Sequence, residues 1–167
     1  MREIERKYLI SDDSFLAQPH TATRIAQGYL CARKVTARVR IYGDIGYITF
    51  KGKSRDGGLS RFEFERQSPL RCAELLLARC SGIVEKTRHL IEYQGYTWEI
   101  DIFEGDNEGL ALAEVELPDT ECNPPLPAWI WKEVTADYHY RNSYLAKMPY
   151  KNWFKSLVIK KIDKRCS

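Results

Sequence analysis

The sequence lacks the features that mark secreted, membrane-spanning and zinc-binding proteins. Its five cysteines are odd in number and never stand in a Cys-x-x-Cys spacing, so neither a disulfide framework nor a zinc site is predicted. No apolar run approaches the roughly 18 residues that a membrane span needs, and the charge from Arg2 onward argues against a signal peptide. We therefore expect a cytoplasmic protein that does not contact a membrane.

An excess of charge of one sign is also missing. The 26 basic and 23 acidic residues leave a formal charge of only +3, and both signs are interleaved along the chain. A dedicated nucleic-acid binder would carry a clear basic excess gathered in a patch, so we expect no nucleic-acid partner.

Internal repeats, linkers and low-complexity segments are absent from the sequence as well. The 167 residues, of which 44% are apolar, fit one domain with room for a core. Within this single domain, residues 1–167, the patterns predict a strand-rich barrel over about 1–118. A carboxy-terminal helical segment with a basic tail is predicted over about 119–167.

What the sequence does contain is a charged strand pattern at its start. Glu3, Glu5 and Lys7 share one parity while Ile4 and Tyr8 take the other, as in a β-strand. Alternate side chains on one side of a strand lie roughly 6–7 Å apart, so the two carboxylates could share a hard cation and the ammonium could reach an anion. In isolation, this pattern would also suit an ordinary solvated edge strand.

The same alternation recurs along the chain. Charged residues keep to one parity of each later strand, and aliphatic or aromatic residues keep to the other. Acids and bases of this charged set are in near balance: Glu3, Glu5, Glu63, Glu65, Glu99, Asp101, Glu114 and Glu116, with Lys7, Arg38, Arg40, Lys51, Lys53, Arg61, Lys86 and Arg88. Glu114 and Glu116 form a second carboxylate pair like that of Glu3 and Glu5.

About eight short strands with one inserted helix, from Pro69 to Arg79, predict an antiparallel sheet that closes to remove its edges. The leucine-rich helix and the tryptophans near the carboxyl end need an apolar surface to cover, which the outer wall of a polar-lined barrel supplies. The predicted fold is thus all-β dominated (α+β): an eight-stranded antiparallel tunnel with charges inside and helices packed outside. The alternative is a lipocalin-like barrel with an apolar interior and these charges in water.

A tunnel lined with charge needs ligands to complete it, since unpaired desolvated charges cost several kcal/mol each. Clustered arginines and lysines suit a polyanion, and carboxylate pairs suit hard divalent cations, Mg²⁺ or Mn²⁺. A short polyphosphate chelated by such a metal satisfies both requirements.

The order of these motifs resembles that of the CYTH family, the triphosphate tunnel metalloenzymes. Glu3-Ile-Glu5-Arg-Lys7 looks like the amino-terminal ExExK signature of that family. The likeness continues through Gln27-Gly-Tyr29, Arg38-Val-Arg40, Thr49-Phe-Lys-Gly52, Glu63-Phe-Glu65, Lys86-Thr-Arg88, Trp98-Glu-Ile-Asp101, Glu114-Val-Glu116 and Glu133-Val-Thr135. The resemblance implies an eight-stranded tunnel that binds a triphosphate and divalent metal, and hydrolyses or rearranges the triphosphate.

By position, the resemblance also implies two groups of site residues. The metal candidates are Glu3, Glu5, Asp101, Glu114 and Glu116. The residues that would hold phosphate oxygens are Lys7, Arg38, Arg40, Lys51, Lys86 and Arg88. We expect Lys7 to contact the phosphate under attack and so to take part in catalysis.

Tyr29 resembles a tyrosine that serves as a proton acceptor in relatives. With a reference pKa near 10, however, a tyrosine is mostly protonated at neutral pH, so catalysis and simple packing both stay open for it.

The resemblance is closest to small bacterial inorganic tripolyphosphatases and implies hydrolysis of tripolyphosphate to pyrophosphate and phosphate. Animal thiamine triphosphatases carry a tryptophan two residues before the first paired arginine, where this chain has Thr36. The alternatives are a class IV-type adenylate cyclase, a nucleoside or thiamine triphosphatase, and a non-catalytic polyphosphate- or nucleotide-binding module. The expected partner is a small-molecule polyphosphate or nucleoside triphosphate, and a homodimer stays open.

Overall fold

A computed structural model describes residues 4–32, 35–55 and 60–153. Its main feature is one nine-stranded sheet in which neighbouring strands run antiparallel. The strands are β1 (Ile4–Ile10), β2 (Thr21–Ala32), β3 (Val35–Tyr42), β4 (Ile45–Arg55), β5 (Ser60–Ser68), β6 (Ile83–Tyr93), β7 (Tyr96–Glu104), β8 (Ala111–Leu117) and β9 (Ile130–Glu133). The α-helices are α1 (Leu70–Leu77) and α2 (Asn142–Leu145). The predicted strand-dominated antiparallel fold is confirmed.

The strands follow the order β5-β4-β3-β2-β6-β7-β8-β1-β9 across the sheet. Two meanders meet where β2 pairs with β6, and β1 lies between β8 and β9. Within the described residues no ladder joins β5 to β9, so hydrogen bonds do not close the sheet. The sequence predicts eight strands in a closed barrel, and the difference comes from β9, which occupies the edge of β1 that a closing strand would need.

Strand β9 lies in a stretch for which the sequence predicts short helices. Its residues are extended because they pair with β1, where Tyr8 is opposite Glu133 and Leu9 is opposite Lys132. The described helical elements after β9 are α2 and 3₁₀ turns at Tyr138–Tyr140 and Tyr150–Asn152. Among the described residues, no helix has the length and apolar character to cross a membrane.

The register of the ladders places the charged residues on one face of the sheet. Lys7 is opposite Glu114, and Arg88 is opposite Asp101. Since directly opposite residues point to the same side of a sheet, these side chains share one face, as the alternation predicts. We call this side of the sheet the polar face. It holds the even-numbered positions of β6 and β8 and the odd-numbered positions of β1 and β7.

The opposite face of the sheet carries the main apolar core. Tyr8, Trp98, Trp129 and Phe15 are almost completely buried there. The Trp98 ring lies 5.6 Å from that of Tyr8 and 5.5 Å from that of Trp129, measured between centroids. Aromatic rings contribute large buried areas and favour such tilted contacts. The core is therefore on the outer side of a polar-lined sheet, opposite to the lipocalin-like alternative.

Helix α1 packs on the same outer face, over β2, β3 and β4. Gly28 of β2 permits this contact, because a Cβ at that position would lie 2.6 Å from the Cβ of Cys80, which follows the helix. A glycine inside a strand favours a bend or bulge, but the register stays continuous at Gly28 with both neighbouring strands. The glycine instead allows close approach of the helical layer.

The segment from Val134 to Trp153 covers one end of the polar face. Leu112 and Phe103 have the parity of the charged residues in their strands, yet they pack with Val134 and Leu145. Residues of the carboxy-terminal segment and of the sheet form an apolar cluster that closes this end of the polar face. The described part of the predicted carboxy-terminal helical segment thus lies partly over the polar face.

Candidate active site

Lys86 and Asp101 form the buried centre of the polar face, at 1% and 0% relative exposure. Lys86 Nζ donates a hydrogen bond to Asp101 Oδ2. Arg88 donates two hydrogen bonds of 2.7 Å to the same carboxylate, from Nε to Oδ1 and from Nη2 to Oδ2. Burial favours a neutral acid, but the charge of Lys86 and the hydrogen bonds from Arg88 hold the pKa of Asp101 below its usual value. Both oxygens of Asp101 are therefore engaged by cations.

Arg88 links this centre to two further acids. It contacts Glu99 Oε2 through Nη1, and its Nη2 lies 3.3 Å from Glu114 Oε2. Burial opposes its charge, but the hydrogen bond to Asp101 and the neighbouring carboxylates hold the pKa of Arg88 above its usual value. The guanidinium is thus charged and fixed in orientation.

Lys7 and Glu114 form the next pair along the face. Lys7 Nζ lies 2.6 Å from Glu114 Oε1, and both side chains are about nine-tenths buried. Burial raises the pKa of the nearby Glu99, with Glu114 and Asp101 adding to the effect of burial while Arg88 opposes it. The acids of β7 and β8 therefore lie between the bases of β6 and β1 across this half of the face.

Glu5 and Glu116 are directly opposite each other on β1 and β8. The Glu5 side chain is 56% exposed, and its Oε1 lies 4.0 Å from Lys7 Nζ. Like charges directly opposite one another destabilise a sheet, and an all-oxygen pair is the donor set that hard divalent cations prefer. The two residues therefore fit a hard divalent cation. Glu3 lies outside the described residues, within which no group of three metal-ligating side chains gathers.

The second half of the polar face centres on two arginines of β3. Arg38 Nη2 lies 2.9 Å from Glu65 Oε2, and Arg40 Nη2 lies 3.3 Å from Glu65 Oε1. Thr49, opposite Arg38 on β4, also donates to Glu65. Burial lowers the pKa of Arg40, and the like charge of Arg38 adds to that effect although Glu65 opposes it.

Both β3 arginines keep a donor unused. Their Nε atoms are buried and have no hydrogen-bond partner within the described residues. A buried N–H without an acceptor is unfavourable by about 1–3 kcal/mol, so these two donors fit an anion. Phosphate oxygens are acceptors of the kind that guanidinium groups prefer.

Tyr29 of β2 lies between the two halves. Its hydroxyl accepts a hydrogen bond from Gln27 Nε2 at 3.0 Å. Burial raises the pKa of Tyr29 to about 12, although the charges of Arg38 and Arg40 oppose the rise. Glu114 of β8 also acts on this hydroxyl, although β6 and β7 separate β2 from β8 in the sheet. The charge of Glu114 thus reaches Tyr29 across the two intervening strands.

The structure brings nearly all of the predicted site residues together. Those with described side chains all lie on the polar face: Glu5, Lys7, Tyr29, Arg38, Arg40, Lys86, Arg88, Asp101, Glu114 and Glu116. Lys51 lies in β4 with its backbone opposite Glu63, but its side chain, like all of Glu3, is outside the described part.

The polar face also holds four residues for which the sequence predicts no individual role in the site: Gln27, Thr49, Glu65 and Glu99. Each has the parity of the charged face, so their position could be predicted but their partners could not. The signal for Glu65 is its place across the β4–β5 hairpin from Thr49, which is itself opposite Arg38.

Comparison with known proteins gives consistent similarities. A family model described as the CYTH domain matches residues 1–148. The inorganic triphosphatase of Acetivibrio thermocellus is 43% identical over 155 residues, which cover 91% of this chain and 97% of that protein. The inorganic triphosphatase of Nitrosomonas europaea is 36% identical over 152 residues, covering 87% and 97%. A crystal structure of the inorganic triphosphatase NE1496 superposes with a TM-score of 0.67 at 31% identity, covering 87% and 95%.

Proposed function

Because this chain belongs to the CYTH domain family, we propose that it is a metal-dependent hydrolase that converts inorganic tripolyphosphate to pyrophosphate and phosphate. The related proteins of A. thermocellus and N. europaea are both inorganic triphosphatases, and the similarity covers nearly all of each.

The observation that carries the proposal is the pair of unused, buried Nε donors of Arg38 and Arg40 on the polar face, which have no hydrogen-bond partner within the described residues. Arg88 approaches closely enough from the other half to lower the pKa of Arg40 further, after the larger effects of burial and Arg38. Three guanidinium groups that converge in this way repel one another unless an anion lies between them. A linear triphosphate spreads its charge over several oxygens and can meet all three.

Glu5 and Glu116 would hold the divalent metal, Mg²⁺ or Mn²⁺, with Glu3 as a further candidate ligand. When bound, the ion would stabilise charge that develops on the phosphate under attack. Asp101 is a metal candidate by resemblance, but both of its oxygens already accept from Lys86 and Arg88. We assign Asp101 instead the role of holding those two cations in place.

Phosphoryl transfer leaves little covalent chemistry for the protein, so positioning and charge stabilisation carry the catalysis. Lys7 lies beside the Glu5–Glu116 pair and is held by Glu114, so we assign it to the phosphate under attack. Arg38 and Arg40, with Lys86 and Arg88, would hold the remaining phosphates. The contacts of these four residues with phosphate would be the same in the ground state as in the transition state.

The test is to incubate the purified protein with tripolyphosphate, ATP and thiamine triphosphate, each with Mg²⁺, with Mn²⁺ and with excess EDTA. Free phosphate, pyrophosphate and cyclic AMP are then measured. We expect equal amounts of phosphate and pyrophosphate from tripolyphosphate, and no reaction in EDTA. Full activity in EDTA would contradict the metal requirement. Cyclic AMP from ATP would indicate a cyclase, and binding without any product would indicate a non-catalytic module.

A further inference from the structure

Gln27 is a buried polar residue in the middle of the polar face, with only 3% relative exposure. Its amide nitrogen donates to the hydroxyl oxygen of Tyr29 at 3.0 Å, and Arg40 lies directly opposite it on β3. We infer that Gln27 is a positioning residue that, by occupying a lone pair of the Tyr29 oxygen, directs the tyrosine O–H toward the bound triphosphate as a hydrogen-bond donor. The inference deepens the proposed function and rests on it for the identity of the ligand.

The neighbours of Tyr29 explain why its O–H needs a ligand. A tyrosine hydroxyl has one proton to donate and can accept two hydrogen bonds, whereas a guanidinium can only donate. Arg38 is directly opposite Tyr29, and Arg40 is the other nearby cation. Within the described residues, Gln27 is the single hydrogen-bond partner of this hydroxyl. The proton of Tyr29 therefore has no acceptor there, and a phosphate oxygen would supply one.

The protonation state of Tyr29 agrees with this geometry. Burial raises its pKa to about 12, against the opposing effects of Arg38 and Arg40, so the hydroxyl keeps its proton at neutral pH. A neutral phenol donates hydrogen bonds and is a poor general base. The role inferred here is thus distinct from both of the alternatives, proton acceptor and simple packing.

The decisive variant is Gln27→Glu. A carboxylate has nearly the shape of the amide but can only accept, so it would draw the Tyr29 O–H to residue 27 and away from the substrate. We expect kcat/KM for tripolyphosphate to fall roughly tenfold to hundredfold, the effect of one lost hydrogen bond to a charged group. Tyr29→Phe should cause a loss of similar size.

The double variant separates positioning from simple repulsion by the new charge. If Gln27 acts through Tyr29, adding Gln27→Glu to Tyr29→Phe should change kcat/KM by less than about twofold. If the new carboxylate merely repels phosphate, it should cause its full loss in the Tyr29→Phe background as well. That additive result would overturn the inference.

Two further variants control for chemistry and for folding. Gln94 donates to the Tyr93 hydroxyl at 3.3 Å in the exposed turn between β6 and β7, so Gln94→Glu repeats the same change away from the site and should leave kcat/KM unaltered. Gln27→Met keeps the side chain's length without adding charge, and serves if Gln27→Glu does not fold. Its loss of kcat/KM should also disappear in the Tyr29→Phe background.

Calorimetric binding of tripolyphosphate in EDTA, measured beside turnover, distinguishes this inference from the proposed function. If the wild-type protein binds tripolyphosphate without hydrolysing it, the hydrolase proposal fails. In that case the Gln27 inference still stands if Gln27→Glu weakens binding in the protein that has Tyr29 but not in the Tyr29→Phe background. If the wild type hydrolyses tripolyphosphate and Gln27→Glu matches it, the Gln27 inference fails alone. A wild-type protein that neither binds nor hydrolyses tripolyphosphate overturns both.

The pH profile is a readout that a purely structural role would not change. As a donor, Tyr29 should give a constant ratio of wild-type to Tyr29→Phe activity between about pH 6 and about pH 9. A ratio that rises with pH through this range would mean that Tyr29 acts as a base, and would overturn the inference.

Discussion

Glu65 organises the two β3 arginines. It accepts from Arg38, Arg40 and Thr49, and although burial favours its neutral form, the Thr49 hydrogen bond and the two positive charges hold its pKa below the usual value. We expect Glu65→Gln to raise KM for tripolyphosphate about tenfold with a smaller change in kcat, because the arginines lose their orientation in all bound states alike. Steady-state kinetics measures both constants.

The matched control for this variant is Glu92→Gln. Glu92 accepts from Thr97 at 2.6 Å on an exposed hairpin, much as Glu65 accepts from Thr49, but it lies beside the β6–β7 turn, four residues beyond Arg88. Its substitution should leave both constants unchanged. A Glu65→Gln protein with normal KM and a much lower kcat would assign Glu65 to the reacting phosphate instead.

Lys7 and Arg38 should differ in kinetic effect. Lys7 lies beside the acid pair, so Lys7→Ala should lower kcat about hundredfold or more, as the loss of a group that stabilises developing charge does. Arg38→Ala should mainly raise KM, because its contact with phosphate would be alike in the ground and transition states. Comparison of the two variants under saturating metal is the measurement. The reversed pattern would place the reacting phosphate at the Arg38 end.

Asp101 neutralises two buried cations. Asp101→Asn removes that charge while Lys86 and Arg88 stay buried, so we expect the free energy of unfolding to fall by about 3–5 kcal/mol. Urea unfolding measures the change. Asp106→Asn is the control, since Asp106 pairs with Lys151 at the exposed surface and such pairs contribute little. Equal stability of the two variants would mean that the buried cations find other partners.

The lowered pKa of Asp101 also gives the sign of its pH dependence. A carboxylate whose pKa is lower in the folded state stabilises the fold above its unfolded pKa, near 3.9, and this stability is lost as the pH falls further. The wild-type protein should therefore lose stability below about pH 4 more steeply than Asp101→Asn.

At the scale of elements, the segment from Val134 to Trp153 depends on Gly82. A Cβ at residue 82 would lie 1.8 Å from the carbonyl oxygen of Ala146, so Gly82→Ala must displace this segment from the polar face. Overpacking of this kind costs about 1–3 kcal/mol. We also expect limited proteolysis to cut within the segment faster than in the wild-type protein.

The comparison variant is Gly95→Ala. Gly95 has φ of +84° and nothing within 4 Å of an added Cβ, so its substitution strains only the β6–β7 turn. It should lower stability without exposing the segment to protease. Equal cleavage of both variants would show that the segment does not depend on the Gly82 contact.

The elements that could be predicted are those whose sequence pattern reflects their surroundings directly. The alternation around Glu5 and Lys7 predicts a strand, the leucines between Pro69 and Arg79 predict a helix, and the structure has β1 and α1 at these positions. Strand β9 could not be predicted, because its four residues follow a proline-rich stretch and are extended only through pairing with β1. The role of Gly28 depends on a helix far along the chain.

The same distinction holds for the site. Parity predicts that Glu5, Asp101, Glu114 and Glu116 share a face, but not which of them meet cations. Asp101 pairs with a cation because the β6–β7 register places it opposite Arg88. Glu5 is opposite another acid, Glu116, because β1 pairs with β8. Such pairings depend on strand register, which no local pattern contains.

At the scale of the whole molecule, the cations gathered on the polar face make stability depend on a ligand. We expect tripolyphosphate to raise the melting temperature by several degrees, since a ligand at one hundred times its Kd adds about 2.7 kcal/mol. Pyrophosphate and then phosphate, at matched ionic strength, should give smaller shifts because they meet fewer of the convergent cations. Thermal melts in EDTA measure the series. Equal shifts for all three anions would indicate unspecific charge screening.

The return of β1 to the far end of the sheet sets the order in which the protein can be assembled. The backbone N–H of Lys7 donates to the Thr135 hydroxyl, 128 residues away, and both neighbours of β1 come from beyond residue 110. During synthesis, the first strand must therefore wait for most of the chain, and pairing over such separations is slow. Glu5 meets Glu116 only in that last step, so catalytic competence is acquired at the end of folding.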